Sequence, residues 1–124
     1  MLLFFAQNSA QLDTCLATAI TQSSINVCAG DESARADAEL SGLYKELFAL
    51  VAGRAEIALK IKAEQKAWFS WRDAYLDAMY PAKDKQFEYG SIYPFQANLA
   101  RAKLTRQQTG PIRDLIKQFR VPAQ

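Results

Sequence analysis

Between Thr21 and Ala52, apolar side chains recur mostly every three or four residues: Ile25, Cys28, Ala36, Leu40, Leu43, Leu47 and Leu50. That spacing matches the turn of an α-helix, not the two-residue period of a strand. A stripe kept up for so long must be buried against other helices. Thr21 suits the N-cap, because its hydroxyl can accept from the Ser24 N–H. Gly30, followed by Asp31, marks a kink or a capped restart.

The same reading extends along the chain. Residues 11–20 form a short first helix. Gly53 ends the long helix in a tight hairpin, and a third helix runs from about Ala55 to Met79. Its inner face carries Ile57, Ile61, Trp68, Tyr75 or Leu76, and Met79. Pro81 stops it. The stretch PAKDKQFEYGSIYP is the longest without periodicity and is expected to be a loop, about 81–93. A further helix starts near Tyr93, where Pro94 suits the first turn, with Phe95, Leu99, Ala102 and Leu104 inward. Gly110-Pro111 is expected to break it. Residues 112–120 then form a last short helix through Ile112, Leu115, Ile116 and Phe119. The expectation is an all-α, up-down bundle of about four helices.

With 124 residues, half of them apolar, the chain holds one domain and a modest core. The domain is expected over 11–120. Residues 1–10 read as a residual leader or apolar tail, and 121–124 as a tail. Leu2 to Phe5 resemble the end of a signal-peptide core, although no basic segment precedes them. A short tail tucked into the fold is the alternative. No other segment approaches the ~20 apolar residues of a membrane span.

The net charge of +2 argues against nucleic acid as a partner. There is no histidine, which removes the commonest general base and metal ligand. Ser-His-Asp, Cys-His and His-based zinc sites are impossible. Two cysteines cannot supply a four-thiolate site. No catalytic residue, metal or cofactor is therefore assigned, and a non-enzymatic protein is expected. Cys15 and Cys28 suit a disulfide in an oxidising compartment. Two buried free thiols are the lesser alternative.

In AEQKAWFSWRDAY, Arg72 falls four residues after Trp68, on the apolar stripe. A cation facing a core needs a partner. Reversal at Gly53 brings Arg72 opposite Asp37, with Tyr44 nearby and Gln65 facing Leu43 and Tyr44. A partly buried, bidentate Arg72–Asp37 ion pair between antiparallel helices is expected. Asp73 is expected to point away. A catalytic Arg-Asp couple is the alternative, but no base, nucleophile or metal set converges on it.

The stretches SSINVCAGDESARADAELSGLYKEL, LKIKAEQKAWFSWRDAY and YGSIYPFQANLARAKLTRQQT together resemble the lysozyme-inhibitor LprI-like domain. The matching positions are Cys28, Ala36, Asp37, Leu40, Ser41, Tyr44, Glu64, Gln65, Trp68, Arg72, Asp73, Gly90, Ser91, Ile92, Pro94 and Thr105. The resemblance covers most of residues 12–118. It implies a secreted or periplasmic helical domain and, for some members, inhibition of lysozyme. It supports the Cys15–Cys28 bridge and the leader. Leu76 and Ala100 stand where the family commonly carries a second cysteine pair. Ser41 replaces the usual Asn, and Glu64 the usual Ala.

A lysozyme cleft holds two carboxylates and is built for a sugar chain. A protein plug for it needs a protruding loop with donors and a cation. Residues 81–93 fit: Gly90 permits a tight turn, and Tyr89, Ser91 and Tyr93 offer hydroxyls. Phe87 adds an aromatic, and Lys83 and Lys85 add charge. The candidate partner-binding set is Lys85, Phe87, Tyr89, Ser91 and Tyr93, and the suspected partner is a protein, lysozyme or another cell-wall hydrolase. The competing view is that this is only the connection the bundle needs, with Ile92 and Phe95 in the core and Tyr93 docked back. A structural or accessory envelope domain, or an immunity protein with a dedicated partner, is the alternative function. A hydrolase using carboxylates or a Ser-Lys pair is disfavoured, because no lysine is suitably spaced from Ser70 or Ser91.

Overall fold

Two hydroxyl caps set the N-terminal half of the fold. Ser9 accepts from the Leu12 N–H and opens α1 (Ala10–Thr18). Thr21 accepts from the Ser24 N–H while the Ser24 hydroxyl accepts from the Thr21 N–H, a reciprocal box that opens α2 (Gln22–Leu50). The computed structural model describes residues 8–120. Residues 1–7, with most of the expected leader, and the tail at 121–124 lie outside the described residues. Ser9 and Ala10, grouped with that leader, belong to α1 and its cap. The chain continues through α3 (Ala55–Met79), α4 (Lys85–Tyr89) and α5 (Tyr93–Arg120), with no strand among the described residues.

The all-α bundle is therefore built on three long helices. Their directions follow from their contacts. Glu32 pairs with Arg106 and Glu46 with Arg120, the same offset twice, so α2 and α5 are parallel. Arg72 meets Asp37, while the earlier Glu64 meets the later Tyr44, so α3 runs antiparallel to α2. The short α1 folds back on α2, joined by the Cys15–Cys28 disulfide with a Cα–Cα distance of 5.7 Å. The hairpin between α2 and α3 turns over Val51 to Arg54, where the Arg54 N–H donates to the Val51 carbonyl at 2.9 Å.

Leu40, Tyr44, Leu47, Val51, Ile61, Ile112 and Ile116 form the buried core, with Trp68, Phe69, Leu115 and Phe119 against it. Most buried residues elsewhere on α2 and α5 are small, among them Ala29, Ser33, Ala36, Ala102 and Thr109, with Glu32 and Gln108 the larger polar exceptions. Those two helices pack most extensively. The bulk of Trp68, Phe69 and Arg72 holds α3 further off, since interaxial distance follows the side chains between helices.

Four expectations are corrected. Gly30 neither kinks nor restarts α2, which is continuous; a glycine costs only about 1 kcal/mol there. Gly110-Pro111 does not break α5. A proline normally clashes with the preceding turn and removes one hydrogen bond, at a cost of ~3 kcal/mol. Here Gly110 has no Cβ to clash with the proline ring. Ile112 and Ile116 bury beyond it and hold the helix in line. Nor is 81–93 wholly loop, because α4 lies within it. On α3, Leu76 is partly buried whereas Tyr75 and Met79 are exposed.

Glu32 lies only 1% exposed beside the N-terminal cap. Arg106 and Arg35 donate to its carboxylate, as do the Ser9 N–H and hydroxyl. Burial alone would push this carboxyl up, but the donors outweigh it and hold its pKa at about 2, below the ordinary 4.5. A carboxyl depressed on folding stabilises the native state above its unfolded pKa. As pH falls from about 4.5 to about 2, the unfolded chain takes the proton first and that stability, on the order of 3 kcal/mol, is lost. Glu32→Gln is expected to remove the buried partner of Arg35 and Arg106, leaving Arg106 its Glu39 contact, cost about 3 kcal/mol and lower the Tm by roughly 10 °C or more. Thermal melts from pH 2 to 7 check both points: the variant should melt lower at neutral pH and lose part of the acid slope.

Candidate functional site

Arg72 is 4% exposed. Its Nη1 donates to Asp37 Oδ1 at 3.1 Å and to the Thr105 hydroxyl at 3.2 Å, and its Nε donates to Asp73 Oδ1 at 3.4 Å. The rings of Trp68 and Phe69 lie 5.4 and 4.9 Å from its guanidinium carbon. The structure thus brings Asp37 and Arg72 together, but through one nitrogen rather than a bidentate fork. The fork is shared instead with Asp73, which turns toward it. Engaged in this way through Nε and Nη1, the guanidinium ties α3 to both α2 and α5.

Two turns along α2 and α3, Tyr44 donates to Glu64 Oε1 at 2.8 Å, and Gln108 Nε2 donates to Glu64 Oε2 at 2.7 Å. Glu64, not the expected Gln65, faces Tyr44. Burial, reinforced by the Glu64 carboxylate, raises the Tyr44 hydroxyl well above its ordinary pKa, so it remains a donor.

The connection between α3 and α5 is a braced knuckle. Asp84 caps α4 by accepting from the Phe87 N–H at 3.0 Å. Gly90 ends it at φ +81, where a side chain would be strained. Lys85 Nζ donates to the carbonyls of Tyr80 and Ala82 at 2.6 and 2.9 Å, closing the C-terminus of α3. The Tyr89 hydroxyl accepts from the Ala82 N–H at 3.0 Å. Asn26 Nδ2 on α2 donates to the Ser91 carbonyl at 3.0 Å.

Three rings cluster inside the knuckle. Tyr80 meets Tyr89 and Tyr93 edge-on at 5.3 and 5.2 Å, and Tyr89 and Tyr93 stack at 5.8 Å. Burial, then the Asp77 carboxylate and the two neighbouring tyrosines, raise the Tyr93 hydroxyl, which stays protonated. Of the five candidates, Lys85, Tyr89 and Tyr93 are drawn together and half-buried. Ser91 is exposed, and Phe87 projects alone at 87% exposure. Sequence reasoning missed Tyr80, the hub of the rings, because it sits at a helix end before Pro81.

The knuckle presents an apolar tip, Phe87, on a hydrogen-bonded turn. Among the described residues, no three His, Cys, Asp or Glu side chains are placed to hold a metal ion. No described helix is long and apolar enough to cross a membrane. Tyr89→Phe removes only the acceptor for the Ala82 N–H, a hydrogen bond of about 1 kcal/mol. Hydrogen exchange at Ala82 is expected to quicken about fivefold, with the global Tm changed by only a few degrees. An unchanged Ala82 rate would mean that this bond does not brace the knuckle.

A protein of Rhizobium meliloti (strain 1021), described only as uncharacterized, is 29% identical over 122 residues, covering 89% of this chain and 84% of the relative. No solved structure matches. The family model for lysozyme inhibitor LprI matches residues 15–110. That span runs from the Cys15 end of the disulfide, through Asp37, Arg72 and the whole knuckle, to Gly110 in α5. The chain belongs to the lysozyme inhibitor LprI family.

Proposed function

We propose that this protein is a non-enzymatic inhibitor of lysozyme or a related peptidoglycan hydrolase, acting through the knuckle at residues 81–93. The family match over residues 15–110 carries the reading. The site rests on Phe87, an aromatic at 87% exposure on a turn held at both ends. A large apolar side chain on a rigid protrusion suits a binding anchor, because little freedom is lost on docking. Phe87 would enter a sugar subsite of the enzyme cleft, flanked by Ser91. Lys85 is committed to two carbonyls, so the cation approaching the enzyme's carboxylates is the exposed Lys83. A disulfide between α1 and α2 fits a secreted or periplasmic setting.

Clearing of a cell-wall suspension by c-type, g-type and i-type lysozymes, with oxidised protein titrated in, tests the reading. Dose-dependent inhibition of at least one type is expected. Phe87→Ala should weaken it by roughly 30-fold, the loss of one hot-spot anchor of about 2 kcal/mol. Inhibition that survives Phe87→Ala keeps the function and overturns the site. If no lysozyme is inhibited, the reading moves to a dedicated partner, as for an immunity protein, or to an accessory envelope domain.

A further inference from the structure

On the flank of the bundle, α3 and α5 leave a cleft of about 380 Å³ lined by Asp73, Leu76, Asp77, Tyr93, Asn98 and Arg101, with Ala97 between the last turns. Leu76 and Ala97 supply its apolar lining, and every other lining residue is polar. The charges in it are arranged unusually. Arg101 and the two aspartates share one small space, yet among the described residues Arg101 forms no ion pair with either. Asp73 is drawn to Arg72 instead. Asp77 makes no ion pair among the described residues, although it stands four residues after Asp73 on the same helix, a repulsive spacing. Arg101 Nε is buried and finds no acceptor among the described residues. A buried donor left without a partner is costly, and native proteins rarely leave one without cause.

We propose that this cleft binds the zwitterionic centre of an amino acid. The carboxylate is received by the Arg101 guanidinium and the Asn98 amide. The ammonium is received by Asp77, with Asp73 beside it. An α-amino acid carries both charges within one small unit, so it bridges a cation and an anion that do not reach each other. Guanidinium suits the carboxylate because its planar fork matches two oxygens. Tyr93 contributes a hydroxyl at the edge, and Leu76 with Ala97 accepts a short aliphatic side chain. The volume suits a ligand of that size rather than a folded partner. The ligand is either a free amino acid or a unit of a larger peptide in which one carbon keeps both its ammonium and its carboxylate. The inference stands apart from hydrolase inhibition and does not need it.

Amide-resolved NMR titration of the full chain tests it. Glycine, D-alanine, L-alanine and L-lysine are the free probes, and soluble cell-wall peptides ending in a free diamino-acid centre are the second source. Saturable shifts at Asp77, Ala97, Asn98 and Arg101 are expected, and whichever source saturates at lower concentration is the one the cleft favours. N-acetylalanine and alanine amide, each lacking one charge, should bind at least about tenfold more weakly. Arg101→Gln and Asp77→Asn, each verified as folded by its own spectrum, should each weaken binding by a similar factor. The proposal is overturned if no zwitterion gives a saturable shift by about 50 mM. It is equally overturned if the capped compounds, or both variants, bind as well as the originals.

Discussion

Arg72 is a cation placed where three helices meet. It reaches Asp37 on α2, Thr105 on α5 and Asp73 on its own helix, between the faces of Trp68 and Phe69. Taking a guanidinium out of water is expensive, and the arrangement is tolerable only while its donors are used. The geometry therefore admits one register of α3 against α2 and α5, since a slip of one residue would turn Arg72 by about 100° and strand it. The bland apolar contacts of a Leu- and Ala-rich bundle do not discriminate so sharply between registers. Arg72 contributes specificity more than net stability.

The same logic repeats at either side of it. Toward α1, Glu32 gathers Arg35, Arg106 and Ser9, tying the N-terminal cap to α5. Toward the α2–α3 hairpin, Glu64 joins Tyr44 to Gln108. Three polar nodes thus run through the bundle, each satisfied from more than one segment. They let the large side chains of α3 hold it away from the tightly packed α2 and α5. Clefts at the edges of α3, including the one with Asp77 and Arg101, follow from that spacing.

Helix boundaries were legible where local chemistry decides them: the Thr21 cap, the Gly53 turn, the stop at Pro81 and the start at Tyr93. Asp37 opposite Arg72 was legible because a tight hairpin lets residues be counted outward from the turn. Gly110-Pro111 misled because the proline rule is local, whereas burial of Ile112 and Ile116 against the core is not. Glu32 was illegible because a glutamate on a helix looks like part of a solvated face, and its partners lie on other elements. Asp77 and Arg101 sit on different helices, and only the folded bundle sets them across one cleft. Of the five knuckle residues, the sequence pattern did not say which ring would point outward, because exposure there depends on how Tyr80, Tyr89 and Tyr93 pack together.

The knuckle depends on the bundle for its rigidity. Leu76 and Ala100 stand where the resemblance places a second cysteine pair, between α3 and α5, so that end of the bundle has no covalent staple. Tyr80 closes α3, Tyr93 opens α5, and Tyr89 sits between them on α4, so three ring contacts span the same junction. Each such contact contributes about 0.5–1.5 kcal/mol beyond the area it buries. Together they are comparable with the ~2–4 kcal/mol of a typical disulfide. The Lys85 and Tyr89 hydrogen bonds add to that. The tyrosines are thus half-buried because they hold the junction, and Phe87 is free to project because they do. Inner rings as brace and an outer ring as tip account for the knuckle's aromatic content.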